Sequence, residues 1–211
     1  MAMRTFTHLY DNYDDAKQTV EALETAGIPH SDISIVSNNV DNQRTASGTV
    51  AVAGDAAVDD TRAGAGASTG TLGGGGVGLL TGLGLLAIPG VGPVVAAGWL
   101  VATLTGAGIG AAGGGLLGSL VHAGVPEEHA HAYTEGVRRG GTLITVRGDE
   151  SQASRIEAVL AGRMPAAVDM TARRTAYQTD GWEKFEETAP HYTADQITAE
   201  RAQRVQVIKT S

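Results

Sequence analysis

A long stretch without charge constrains this chain more than any other feature. Between Arg62 and Glu127 the sequence contains no Asp, Glu, Lys or Arg, and His122 is the only residue there that can take up a proton. A segment of this length without charge is kept away from water by packing or by lipid. We therefore expect residues 63–124 to form a structural element of their own.

Glycine recurs at every fourth residue of this segment, with one alanine in the series. The first run is Gly66, Gly70, Gly74, Gly78 and Gly82, and the second is Gly98, Ala102, Gly106, Gly110, Gly114 and Gly118. Residues four apart form one ridge of an α-helix, and a ridge of small residues lets another backbone approach closely. The spacing predicts two helical arms that pack, within and between subunits, through these residues.

The arms are expected to meet in a turn at residues 88–93. Pro89, Gly90, Gly92 and Pro93 interrupt the segment there, and a helix does not continue through such a run. Each glycine also costs roughly 1 kcal/mol of helix propensity relative to alanine, so the arms need packing partners. The prediction is a glycine-zipper helical hairpin over residues 63–124.

The segments before and after the predicted hairpin have the patterns of two halves of one α/β domain. Residues 1–37 give a strand, a one-sided helix that ends at Gly27 and Pro29, and a second strand. Residues 125–170 give helix, strand, helix and a short final strand at 167–170. Residues 38–62 are acidic and small and are predicted to be a linker, in which residues 50–52 could add a short edge strand. The predicted fold class is α+β, a ferredoxin-like sandwich interrupted by the hairpin.

Residues 171–211 form a charged tail that contains most of the large aromatic side chains. Tyr177, Trp182, Phe185 and Tyr192 would serve no purpose in a solvated tail. We expect them to dock the tail on its own domain or on a neighbouring subunit. A capping-box pattern from Thr193 to Gln196 predicts a short helix there.

Composition and motifs limit which partners and which kinds of catalytic or metal site are expected. The net charge of −8 repels phosphate, so nucleic acid is not an expected partner, and the chain has no cysteine. Residues 66–70 match the G-x-S-x-G pattern but lack the buried strand that must precede it. His129 and His131 are two residues apart on a helix and point away from each other. We expect no catalytic residue, no metal site and no cofactor.

A further signal lies in a run after the hairpin, which comprises Val125, Pro126, Glu127, Glu128, Tyr133, Glu135, Gly136, Val137, Arg138, Arg139, Gly140, Gly141, Thr145 and Val146. With Gly27, Ile28 and the turn at 88–93, this run resembles the domain of the general stress protein 17M-like, or heat-induced stress protein YflT-like, family. The resemblance covers about residues 4–170 and is most specific at 138–141. It implies a bacterial, stress-associated, non-enzymatic protein without a cofactor, and it supplies no catalytic residues.

Together these patterns predict a stress-related structural protein that forms homo-oligomers through its hairpin. One alternative is a hairpin in or on a membrane, because arms of about 22 and 28 residues span roughly 33 and 42 Å, against roughly 30 Å of hydrocarbon. Another is a regulatory module that binds a small ligand, by analogy of fold alone. Residues 1–10 lack the apolar region of a signal peptide, so we expect the protein in the cytoplasm or at the inner face of the cell membrane.

Overall fold

The computed structural model describes residues 3–40, 51–52, 84–106, 115–162 and 167–210. The elements in chain order are β1 (Arg4–Tyr10), α1 (Tyr13–Thr25), β2 (Ile33–Asn38), β3 (Ala51–Val52), β4 (Gly84–Ile88), β5 (Gly92–Gly98), α2 (Trp99–Gly106), α3 (Gly115–His122), α4 (Glu127–Arg138), β6 (Thr142–Gly148), α5 (Glu150–Gly162), α6 (Met170–Thr179) and α7 (Ala194–Thr210). A single 3-10 turn, His30–Asp32, precedes β2.

Six strands of the described part form one sheet in the order β1-β6-β2-β5-β4-β3. The first five pair antiparallel, whereas the two-residue β3 pairs with β4 in parallel at the edge. Because β1 and β2 are both antiparallel to β6, they run parallel to each other with β6 between them. The mixture of helices and a largely antiparallel sheet confirms the predicted α+β class.

Helices α1 and α5 cover what we call the first face of the sheet. The Asn12 side chain accepts a hydrogen bond from the Asp15 backbone N–H at 2.8 Å and so caps the start of α1. Gly27 ends the helix at a φ of 85°. The core here is made of large aliphatic side chains: Val20, Leu23, Ile28, Ile33, Ile35, Ile144, Val146, Ile156 and Leu160. Each of these is at most 2% exposed, so burial of apolar surface holds this face together.

Helices α2, α3 and α4 cover the opposite side, the second face. The core there joins side chains from the sheet, from these helices and from the tail: Leu9, Val36, Ile88, Val94, Leu100, Leu116, Leu120, Val137, Leu143 and Phe185. Phe185 comes from beyond residue 170 and is only 5% exposed. The second face is therefore closed by parts of the chain that lie far apart in sequence.

The prediction of helical arms is wrong for residues 84–98. These residues form β4 and β5, an antiparallel hairpin in which Ile88 pairs with Gly92, and the turn at 89–91 falls inside the range predicted for it. Residues 94–97 are fully buried in the middle of the sheet. A short apolar run of this kind fits a strand covered on both faces, and periodicity alone does not separate it from a helix. Helical structure follows in α2 and α3.

Three boundaries also differ from the prediction. Asn38, placed in the linker, belongs to β2. Within the same range Ala51–Val52 form the edge strand β3, where the sequence allows a short edge strand. Of the final strand predicted at 167–170, only a bridge between Ala167 and Tyr10 forms, and Met170 already begins α6. The tail contains two helices, of 10 and 17 residues, instead of one short helix.

Candidate functional site

Helix α4 supplies the surface on which the tail docks. Pro126 precedes its first turn, Glu127 and Glu128 lie in that turn, and Arg138 lies in the last one, so the charges complement the helix dipole. Gly140 follows at a φ of 95°. The face of α4 turned to the sheet carries Ala130 and Val137, which are both fully buried. The C-terminal end of the helix is left to meet the tail.

A buried carboxylate organises this end of α4. Glu135 is 0% exposed, and its Oε1 accepts a hydrogen bond from Arg139 Nε at 2.7 Å while its Oε2 accepts one from Arg138 Nη1 at 3.1 Å. Arg139 Nη1 also donates to Glu200 Oε1 of α7 at 2.9 Å. Burial on its own lowers the pKa of Arg139, but the hydrogen bonds and charges of Glu135 and Glu200 outweigh it and raise that pKa overall. The charge is therefore fixed, and it ties α4 to α7.

Two tyrosines of the tail enclose the same guanidinium groups. The Arg139 guanidinium carbon lies 4.4 Å from the ring centroid of Tyr177 and 5.6 Å from that of Tyr192. The Arg138 guanidinium carbon lies 5.0 Å from the Tyr192 ring. Cation–π contacts of this kind contribute roughly 0.5–2 kcal/mol each, and more where water is excluded. Both predicted docking tyrosines thus contact α4 of their own domain.

Helix α7 begins with a reciprocal cap and then packs on the residues after α4. The Thr193 N–H donates to Gln196 Oε1 at 2.9 Å and the Gln196 N–H donates to Thr193 Oγ1 at 3.3 Å, which is the predicted capping box. Ile197 is 1% exposed and lies where a Cβ on Gly140 would stand. Arg201 Nη2 donates to the Gly140 carbonyl at 2.9 Å. A side chain at position 140 would push α7 away.

Between α6 and α7 the chain crosses the β4–β5 turn, and we call residues 182–192 the strap. A Cβ on Gly90 would lie 2.9 Å from the Glu186 carbonyl oxygen and from Glu187 Cα. Arg138 Nη2 donates to the Pro190 carbonyl at 2.8 Å. Trp182 packs edge-on against Tyr177, with 5.7 Å between ring centroids. The strap therefore rests on the turn and joins it to α4.

One hydrogen bond fixes the buried end of the strap. Phe185 inserts its ring into the second-face core, and its backbone N–H donates to Nδ1 of His131 on α4 at 3.2 Å. The His131 side chain is 18% exposed, and its Nε2 lies 3.8 Å from Glu127 Oε1. Phe185 and Trp182, both predicted to dock the tail, thus lie on the same domain as the two tyrosines.

The predicted zipper residues are only partly described. Gly98 ends β5 at a φ of 92°, and a Cβ there would collide with the backbone of Ile33 and Ser34 in β2. Its close approach to another strand, and not helix packing, accounts for this glycine. Ala102 is exposed on α2, Gly106 ends that helix and Gly118 is half-buried on α3. Outside the described residues lie Gly66, Gly70, Gly74, Gly78, Gly82, Gly110 and Gly114, so the zipper stays a prediction.

The turn residues have a further role that the sequence does not reveal. Pro89 and Gly90 lie in the turn, whereas Gly92 and Pro93 begin β5. A Cβ on Gly92 would lie 3.0 Å from the Cβ of His191 in the strap. Glycine is thus needed both for the positive φ and for the approach of the tail.

Sequence reasoning missed the residues that hold the tail. Glu135 and Arg139 are four apart on a helix, a spacing that predicts an ion pair but says nothing of its burial. Nothing in the local sequence indicates that Glu200 or His131 faces another element. Among the described residues no group of three His, Cys, Asp or Glu could hold a metal ion. An open cavity of about 450 Å³ is lined by Glu127, Glu128, His131, Arg174, Trp182, Glu183 and Lys184.

Comparison with known families gives one match. A model of the heat-induced stress protein YflT domain matches residues 5–86, which run from β1 into β4. The match confirms the resemblance, although it does not reach residues 138–141, which are expected to end its most specific part. No curated protein and no solved structure shows significant similarity to the chain. Within the described residues, no helix is both long and apolar enough to cross a membrane.

Proposed function

We propose that this is a non-enzymatic, stress-related structural protein that associates with copies of itself through its charge-free segment. The observation that carries the proposal is the outer side of α2 and α3, where Ala102, Val121 and His122 are exposed and no Asp, Glu, Lys or Arg is present. The match to a heat-induced stress protein domain supports the stress-related role. The role of the zipper and the self-association are inferred from the chemistry of that surface.

The outer side of α3 has the composition of a helix contact. Leu116, Ser119 and Leu120 face the core, while Leu117 and Gly118 are half-buried and Val121 is 41% exposed. Helices on a soluble surface usually carry charged or polar side chains on the side turned to water. An apolar stripe that includes a glycine favours contact with another backbone. A second copy of the same stripe is the partner that such a surface fits best.

The rest of the chain would form a rigid support for this contact. The split arrangement of β1, β6 and β2, with α1 and α5 on one face, favours a ferredoxin-like core. The tail holds the β4–β5 turn against α4, so the segment is anchored at its middle. In the proposal the domain stays folded and the glycine-rich runs before β4 and between α2 and α3 make the contacts between subunits.

The test is the mass of the purified protein in buffer without detergent, by light scattering coupled to size exclusion. We expect a discrete multiple of the 21.5 kDa chain. Gly118→Leu places a large side chain on the stripe and should return the mass to that of one chain. Gly162→Leu is the matched control, because a Cβ there meets nothing within 4 Å among the described residues, and it should leave the mass unchanged.

The alternatives predict different results. A single-chain mass for the wild type, or the same assembly in Gly118→Leu, would exclude self-association through this stripe. Protein that stays dispersed only with detergent would instead favour the membrane-associated hairpin. Circular dichroism of both leucine variants shows whether the domain is still folded, so that loss of assembly is not confused with unfolding.

A further inference from the structure

The buried end of the strap is held by a side chain that can change its charge. His131 Nδ1 accepts the hydrogen bond of the Phe185 backbone N–H at 3.2 Å. A nitrogen of imidazole accepts only when it carries no proton, so the docked strap requires neutral His131 with its hydrogen on Nε2. An imidazolium donates from both nitrogens. Protonation would therefore set two N–H groups against each other.

The hydrogen bond between Phe185 and His131 is largely shielded from water, so breaking it while the strap stays docked costs free energy. The His131 side chain is 18% exposed, and Phe185 as a whole residue is 5% exposed. A buried donor that loses its acceptor pays its desolvation without compensation. If the strap lifts, the same N–H bonds to water and the imidazolium becomes solvated.

The charged groups around His131 do not cancel the preference of the docked strap for a neutral imidazole. The groups that line the cavity beside it are Glu127 and Glu128 from α4, Arg174 from α6, and Glu183 and Lys184 from the strap. Glu127 favours the imidazolium, but its side chain is 76% exposed and it belongs to α4, so it acts whether the strap is docked or not. Glu128 is paired with Arg174. Glu183 and Lys184 leave together with the strap, and their opposite charges largely offset each other.

We infer that the strap is a pH-sensitive latch, which protonation of His131 opens. Opening releases residues 182–192 from α4 and uncovers the β4–β5 turn, where Gly90 now contacts the strap backbone. Histidine changes charge between about pH 5 and pH 8. The latch concerns the tail alone and does not depend on self-association.

Hydrogen exchange of the full-length protein tests the latch. The protection of amides in residues 182–192, corrected for the intrinsic pH dependence of exchange, should fall on the order of tenfold between about pH 7.5 and about pH 5.5. His131→Asn keeps an acceptor close to the position of Nδ1 but does not titrate, so its strap should stay protected at both pH values. His129→Asn is the matched control on the exposed side of α4, and it should respond as the wild type does.

A local readout is needed because acid also acts on the first face. Burial lowers the pKa of His8, and His8 pairs with Ile144 of the first-face core. Acidification therefore weakens the whole domain as well, and only a change confined to the strap counts. Equal loss of protection in His131→Asn and wild type, or a strap that stays protected in the wild type at the lower pH, would overturn the latch. If His131→Asn does not fold, nuclear magnetic resonance titration of His131 in the wild type decides, since the strap amides should shift with the same midpoint.

Discussion

The two faces of the sheet are closed in different ways. The first face is covered by α1 and α5, each of which directly follows or precedes a strand that it packs on, and its core consists of large aliphatic side chains. The second face also has an aliphatic core, but part of its cover is the tail, which is held by a buried carboxylate, two arginines and a single aromatic ring from the strap. The first face is closed by helices that neighbour its strands in sequence, whereas the cover of the second face includes a tail that we infer can be released.

The difference follows from how the first-face helices and the tail are each held in place. Burial of aliphatic surface is non-directional and is lost only when the domain unfolds. Hydrogen bonds and ion pairs are directional, and they fail when one partner changes its charge or position. Regions of low local stability are the ones that proteins use for switching. We therefore place the regulated part of this molecule on the second face.

The largest expected effect separates global from local stability. Leu23→Ala removes a fully buried side chain from the first face and should lower the free energy of unfolding by about 2–5 kcal/mol. Phe185→Ala removes a buried ring from the second face, yet its main effect should be increased exchange of the strap amides. Urea denaturation and hydrogen exchange measure the two effects. Equal losses in the urea midpoint would show that the strap unfolds only with the domain.

Glu135 provides the next test, because it holds both arginines at the tail. Glu135→Gln keeps the shape but removes the charge, and it should cost about 3 kcal/mol since two guanidinium groups lose their buried counterion. Thermal and urea unfolding measure this loss. Glu157→Gln is the control, as its pair with Arg4 is more than half exposed on both sides and should be worth under about 1 kcal/mol. Similar effects of the two variants would mean that Glu135 does not organise the site.

The sequence predicts the first face far better than the second. The one-sided apolar pattern and the stop at Gly27 are local signals, and α1 forms and ends where they indicate. The strands β4 and β5 could not be predicted, because residues 94–97 become a strand through pairing with β4 on one side and with β2 on the other. Tertiary contact decides between strand and helix for a short apolar run.

In the tail, too, the local features can be predicted from the sequence and the tertiary contacts cannot. Its four aromatic side chains and the capping box predict that it docks and where α7 begins, since both are local features of composition and spacing. Its target could not be predicted. That Arg139 meets Glu200, or that His131 receives the Phe185 N–H, depends on residues 54 to 61 positions apart. Contacts between residues so far apart produce no repeating pattern in a single sequence, so the sequence does not indicate them.

The smallest expected effect compares one glycine from each face. Gly27 and Gly90 both have a left-handed backbone, with φ of 85° and 71°, so alanine should cost roughly 1–2 kcal/mol at either position. At Gly27 the new Cβ would lie 3.6 Å from Arg155 Nη1, an ordinary contact, whereas at Gly90 it would lie 2.9 Å from the strap backbone. Gly27→Ala should therefore lower the urea midpoint and leave the strap amides as protected as in the wild type. Gly90→Ala should lower it by a similar amount and also expose residues 182–192 to exchange. If Gly90→Ala left the strap protected, the turn would not be what the strap rests on, and the second face would be no more detachable than the first.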